Sequence, residues 1–138
     1  MPYNLKTIDI NAFRSCLNLL DITIPDGVTS IGNGAFESCN SLRKVEISPN
    51  SKLTSIGSSA FENCYHLVSI TIPPDLMSIG GRAFFQCDKI VEIINLSSID
   101  IIKGSTENGF VALHALEIHN GDSKIVTIDN YLFFVVDL

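Results

Sequence analysis

The sequence has no tryptophan, two methionines, and nine lysines and arginines against fifteen acidic residues, a net charge of −6. The basic residues are scattered, with no run to follow a phosphate backbone, which argues against nucleic acid. No apolar run approaches the roughly 20 residues of a membrane helix. The opening "MPYNLKTIDI" lacks the apolar core of an export signal. No Cys-x-x-Cys pair is present to build a zinc site, and no Gly-rich phosphate loop. What remains is 46% apolar residues in 138, enough for one folded domain with a core.

What is present is a repeat. Ala-Phe occurs at 12–13, 35–36, 60–61 and 83–84, in steps of 23, 25 and 23. Cys16, Cys39, Cys64 and Cys87 follow the same ruler. So do Leu19, Leu42, Leu67 and Ile90, then Ile22, Val45, Ile70 and Ile93, with Ile8, Ile31, Ile56 and Ile79 upstream. Ile-Gly recurs at 31–32, 56–57 and 79–80 and reads as a turn. The two extra residues fall in "ISPNSKLTSIG", Ile47 to Gly57, where a longer loop costs little. A step of 23 beyond the fourth unit lands on Ile102, Phe110, Leu113 and Leu116, and predicts a decayed fifth unit.

Each unit ends in Leu-x-x-Ile-x-Ile, a short strand, and Pro25 and Pro73 follow two of these strands at once. "VTSIG" and "LTSIG" read as a second short extended piece. Ala-Phe-x-x-Cys is too short for a helix and reads as one helical or 3₁₀ turn. Such a coil cannot bury its inner side alone, so coils stack. Strands about 4.8 Å apart give five coils a length of roughly 24 Å, with a parallel sheet along one side. Phe13, Phe36, Phe61 and Phe84 then form a spine.

This pattern resembles the BspA-like, or Treponema-type, leucine-rich repeat. The resemblance rests on "IPDGVTSIGNGAFESCNSLRKVEI" and "LTSIGSSAFENCYHLVSITIPPDLMSIGGRAFFQC". It implies an α/β, β-rich fold: a right-handed leucine-rich-repeat solenoid of about five coils. The expected organisation is a single domain over 1–138, regular over about 5–96. Over about 97–138 come a degenerate repeat and a terminal hairpin, its turn read from Asn-Gly in "LEIHNGDSKIVTI". The resemblance further implies a cell-surface type protein used for adhesion or partner binding and does not imply an enzymatic activity; neither enzyme chemistry nor a cofactor is expected.

The residues that suggest chemistry mostly fall on the ruler. The cysteines read as reduced, buried ladder positions, because stacked side chains point in parallel, a poor geometry for bridging. Cys64 near His66 suggests a nucleophile and base. Yet Asn18, Ser41 and Lys89 occupy the slot of His66 in the other units, so Cys64 reads as structural. His114 and His119 read as surface or packing residues flanking the fifth strand. Glu37 and Glu62 read as a solvated edge. Asn95-Leu-Ser97 fits a glycosylation sequon, and Thr106 to Gly109 departs from the repeat and should bulge.

The exposed strand face is the candidate binding surface. Asp21, Lys44, Ser69 and Glu92 should form one outward row, Thr23, Glu46, Thr71 and Ile94 the next, bordered by Leu20, Arg43, Val68 and Val91. Asp21 beside Lys44 predicts an ion pair. The partner expected there is a protein or glycan, not nucleic acid and not a membrane. The apolar "YLFFVV" end predicts self-association through an unpaired edge. The alternative is a structural repeat block of a longer surface protein whose ligand site lies elsewhere.

Overall fold

The computed structural model describes residues 1–121, 124–128 and 131–135, with side chains described through residue 121. Four coils contribute two strands each: β1 (Thr7–Ile8) and β2 (Asp21–Thr23), β3 (Ser30–Ile31) and β4 (Lys44–Glu46), β5 (Ser55–Ile56) and β6 (Ser69–Ile72), β7 (Ser78–Ile79) and β8 (Glu92–Asn95). A fifth coil adds β9 (Glu117–Asn120), and β10 (Lys124–Ile128) and β11 (Tyr131–Val135) follow. The short strands β1, β3, β5 and β7 form one parallel sheet, in which Ile8, Ile31, Ile56 and Ile79 stand in register. The fold is the β-rich parallel solenoid that the repeat implies.

The broader side carries two ladders rather than one sheet. β2 pairs with β4, and β6, β8 and β9 form a separate parallel sheet. The break between β4 and β6 falls at the coil with the two extra residues. There Ser48 donates to Asp26 at 2.7 Å, and the Lys52 amide donates to the Asp26 carbonyl at 2.8 Å, folding the longer loop back on the preceding coil.

Inside, the Phe13, Phe36, Phe61 and Phe84 rings stack nearly parallel, with centroids 5.1, 5.1 and 5.3 Å apart. Identical residues at identical coil positions leave their rings one strand spacing apart, so the stack follows from the repeat itself. Alanines at 35, 60 and 83 are fully covered beside them. Leu42, Leu67, Ile90, Val45, Ile70 and Ile93 complete the core.

The Ala-Phe-x-x-Cys stretch is not the helical turn expected. Asn11, Gly34, Ser59 and Arg82, just before each alanine, have positive φ, as do Ser15, Ser38, Asn63 and Gln86, two residues after each phenylalanine. Such alternation breaks a helix and turns every second N–H along the stack. Phe13, Phe36 and Phe61 donate their amides to the carbonyls of Ala35, Ala60 and Ala83 in the next coil, each at 2.7 Å. Ala35 and Glu37 instead bond within their own coil, to Gly32 and Gly34. All eight of these positive-φ positions hold Asn, Ser, Gly, Arg or Gln, and none holds a β-branched residue.

The fifth coil exists, but its step is 25, not 23. Ile93 pairs with Ile118, while Leu116 is 66% exposed. Ile101 is buried and Ile102 exposed, and Ala112 and Ala115 fill the core where Phe110 and Leu113 were expected. The extra length lies ahead of Gly109, whose carbonyl accepts from the Phe84 amide at 2.7 Å as the Ala83 carbonyl accepts from Phe61, and a 3₁₀ turn spans Asn108–Phe110. All three of its residues have positive φ, and a side chain on Gly109 would strike Ala83. The expected hairpin also moves. Asn120 ends a strand of the parallel ladder, and the antiparallel pair is β10 with β11. The side chains of "YLFFVV", on which the self-association expectation rests, lie outside the described residues. Among the described residues no helix is long and apolar enough to cross a membrane.

Candidate functional site

The sulfur ladder is structural. Cys39, Cys64 and Cys87 are buried, and their thiols point at the carbonyls of Phe13, Phe36 and Phe61, at 3.1, 3.3 and 2.9 Å. Burial raises the Cys39 thiol above its usual range. The neighbouring Cys87, and then burial, push Cys64 up much further. A thiol held protonated in an apolar wall is no nucleophile. His66 is exposed and its Nδ1 lies 2.6 Å from the Asn40 carbonyl, occupied on the surface while Cys64 faces the core. The four cysteines are free, and Cys16, in the first coil, is the one that is only half-buried. A chromogenic disulfide reagent should therefore release one equivalent of thiolate quickly from the native protein, and three more only after denaturant. Fast reaction of all four would contradict the buried ladder.

Other suggestive residues are also accounted for. Glu37 and Glu62 are not a loose solvated edge: Arg14 reaches Glu37 at 3.0 Å and Arg82 reaches Glu62 at 2.6 Å, each across one coil. The Arg82 guanidinium, which also sits 4.1 Å above the Phe85 ring, holds the Glu62 carboxyl below the usual carboxylate range. Asn95, in the sequon, is buried. Its amide donates to Ile99 and Asn120 and its oxygen accepts from Ser97, so it has no face for a sugar. His114 lies 3.3 Å from Asp88.

On the strand face the registers are those expected: Asp21 opposite Lys44, Thr23 opposite Glu46, Ser69 opposite Glu92 and Thr71 opposite Ile94. The pairings of charge are not. Asp21 is taken by Arg43 at 3.2 Å, and Lys44 turns along its own strand to Glu46 at 2.7 Å. Arg43 lies next to Lys44 and its planar fork reaches Asp21 with two nitrogens, which a point-like ammonium cannot match. Lys44, then the Thr23 hydroxyl, hold the Glu46 carboxyl below its ordinary range. Thr71 and Ile94 are buried, so they do not belong to an open surface. Both are the third residue of a four-residue strand inside a ladder, where the short strands β2 and β4 leave Thr23 and Glu46 exposed.

The border row is the more distinctive feature. Leu20, Val68, Val91 and Leu116 are 48, 48, 40 and 66% exposed, in line along the stack with Arg43 among them. The Arg43 amide donates to the Leu20 carbonyl, Val91 to Val68, and Leu116 to Val91. Two shallow depressions meet at Arg43, one lined by Leu20, Ser41 and His66, the other by Asp21, Lys44, Val68 and Ser69. Leu116 joins this row only in the step of 25, which is why the sequence did not place it there.

Residues 1–110 match the family described as BspA type leucine rich repeat region, in six copies. No curated protein matches the chain. Among solved structures, a leucine rich cell surface protein from Faecalibacterium prausnitzii A2-165 is 31% identical, with a TM-score of 0.70 over 87% of this chain and 31% of that one. A leucine-rich repeat protein from Bacteroides ovatus ATCC 8483 is 35% identical, with a TM-score of 0.60 over 67% of this chain and 25% of that one. The leucine rich repeat protein of T. pallidum, at 22% identity and a TM-score of 0.53 over 83% of this chain and 63% of that one, shares the fold. The chain thus spans a third or less of the first two. With the spine, the thiol ladder and the twofold strand pattern in place, the chain belongs to the BspA-type leucine-rich-repeat family.

Proposed function

We propose that this coil stack is a non-enzymatic binding module of a cell-surface type protein, holding a protein or glycan partner on its strand face. The observation that carries this reading is the exposed row Leu20, Val68, Val91 and Leu116, broken by Arg43 and bordered by the ion-paired Asp21, Lys44 and Glu46. An aliphatic strip with a guanidinium in its middle offers apolar contact area together with directional donors, the mixture that partner surfaces use. Of the wider group, Thr23, Ser69 and Glu92 stay on this face, while Thr71 and Ile94 are buried and offer a partner no open surface. The description of the F. prausnitzii relative as a cell surface protein supports the setting.

A second reading has its own support. The chain matches 31% of that relative's length, which fits a repeat block that displays or spaces other parts of a longer protein. The discriminating experiment probes a glycan and protein array with the wild type, with Arg43→Ser/Val68→Ser, and with Met77→Ser as a surface control. A binding face predicts array signals that drop at least about tenfold in the double variant and persist in the control. Undiminished signals from a correctly folded double variant would remove the strand face from consideration. No signal from the wild type would favour the repeat-block reading.

A further inference from the structure

Two carboxylates and an imidazole meet at the junction of β8 and β9. Glu92 pairs directly with Glu117 across the parallel ladder, and His119 is two residues along the same strand, hence on the same side of the sheet. One ligand atom from each residue lies within 4.8 Å of the others. Like charges directly opposite one another in a ladder repel. Among the described residues neither carboxylate has an ion pair to lysine or arginine.

The closest approach is informative. His119 Nε2 stands 3.3 Å from Glu117 Oε2. In a tetrahedron with metal–donor bonds of about 2.0–2.2 Å, neighbouring donors stand about 3.3–3.6 Å apart. The pair is therefore already spaced as an edge of such a tetrahedron, and Glu92, on a flexible stem from the facing strand, can supply the third corner. Imidazole with carboxylates is a donor set for zinc-like divalent ions, and calcium and magnesium prefer oxygen alone.

We propose that Glu92, Glu117 and His119 form a surface site for a divalent transition metal of the zinc type. Three protein donors leave the fourth position open, for water or for a donor atom of a bound partner. The site stands on its own geometry and does not depend on the strand face being a binding surface. It also explains itself in sequence terms. With a fifth-unit step of 23, Glu92 would face Ala115, and only the observed step of 25 sets it opposite Glu117.

Calorimetric titration of Zn²⁺ into the metal-free full chain tests the proposal, with circular dichroism to confirm folding. One saturable equivalent is expected, weakened at least about tenfold by His119→Ala and by Glu117→Gln. His114→Ala, removing the imidazole beside Asp88, should leave the isotherm unchanged. No saturable binding up to about 1 mM, the range of weak association, would overturn the site. So would binding that survives in both variants. Should His119→Ala fail to fold, Glu117→Gln, at an exposed position, decides alone.

Discussion

Phe61→Ala should cost about 3–5 kcal/mol of unfolding free energy and lower the melting temperature by roughly 10–20 °C. Phe61 is fully buried and stacked on both faces, 5.1 Å from Phe36 and 5.3 Å from Phe84. Alanine there removes contacts to both flanking coils, and the walls of a stack hydrogen-bonded at every corner cannot close on the gap. In a nearest-neighbour solenoid the cost of a ring scales with the interfaces it serves. Phe13 stacks on Phe36 alone and is only partly buried, so Phe13→Ala should cost clearly less. Equal losses for the two variants, by thermal or denaturant unfolding, would mean that the spine is not what holds the coils together.

Gly57→Ala should be as disruptive, although it adds a single methyl group. A Cβ at Gly57 would lie 2.6 Å from the Asn33 amide nitrogen and 2.7 Å from the Gly32 carbonyl carbon, both backbone of the preceding coil. Gly32 meets Ile10 and Asp9 in the same way, and Gly80 meets Ser58 and Gly57. Backbone has nowhere to retreat without opening the coil spacing, so the cost should reach about 3 kcal/mol or more, the upper range for overpacking. Gly81 is the matched control, since nothing lies within 4 Å of its would-be Cβ. Gly81→Ala should be neutral or slightly stabilising, by loss of freedom in the unfolded chain. A destabilised Gly81→Ala beside an unaffected Gly57→Ala would refute the close-approach argument.

These two predictions differ in how far the sequence alone reaches them. The phenylalanine spine is legible because parallel coils map equal positions onto each other, so periodicity becomes adjacency. The glycine's reason is not. Ile-Gly reads as a turn, but none of these three glycines has positive φ, and the requirement is room for the neighbouring backbone. The corner departs from its sequence spacing for a related reason. Ala-Phe-x-x-Cys has the spacing of a helical turn, whereas the left-handed residues before alanine and after phenylalanine aim amides at the next coil. That gain exists only once a second coil is there to accept them.

The candidate face shows the same division. Which residues share a row follows from counting, and Asp21–Lys44, Thr23–Glu46, Ser69–Glu92 and Thr71–Ile94 are the observed registers. Which of them touch does not. Arg43 outcompetes Lys44 for Asp21 by the geometry of its fork, and Thr71 and Ile94 are buried within the four-residue strands that carry them.

Periodicity of the chain by itself determined the coil, its stacking axis, the aromatic spine, the inward thiols and the family, because a repeated pattern of apolar residues admits one economical way of hiding them from water. The three-dimensional arrangement alone decided the fifth coil's step of 25, the break between β4 and β6, the charge partners and the meeting of Glu92, Glu117 and His119. Those depend on how loops absorb extra residues and on which side chains win a shared neighbour, and neither is encoded in the period.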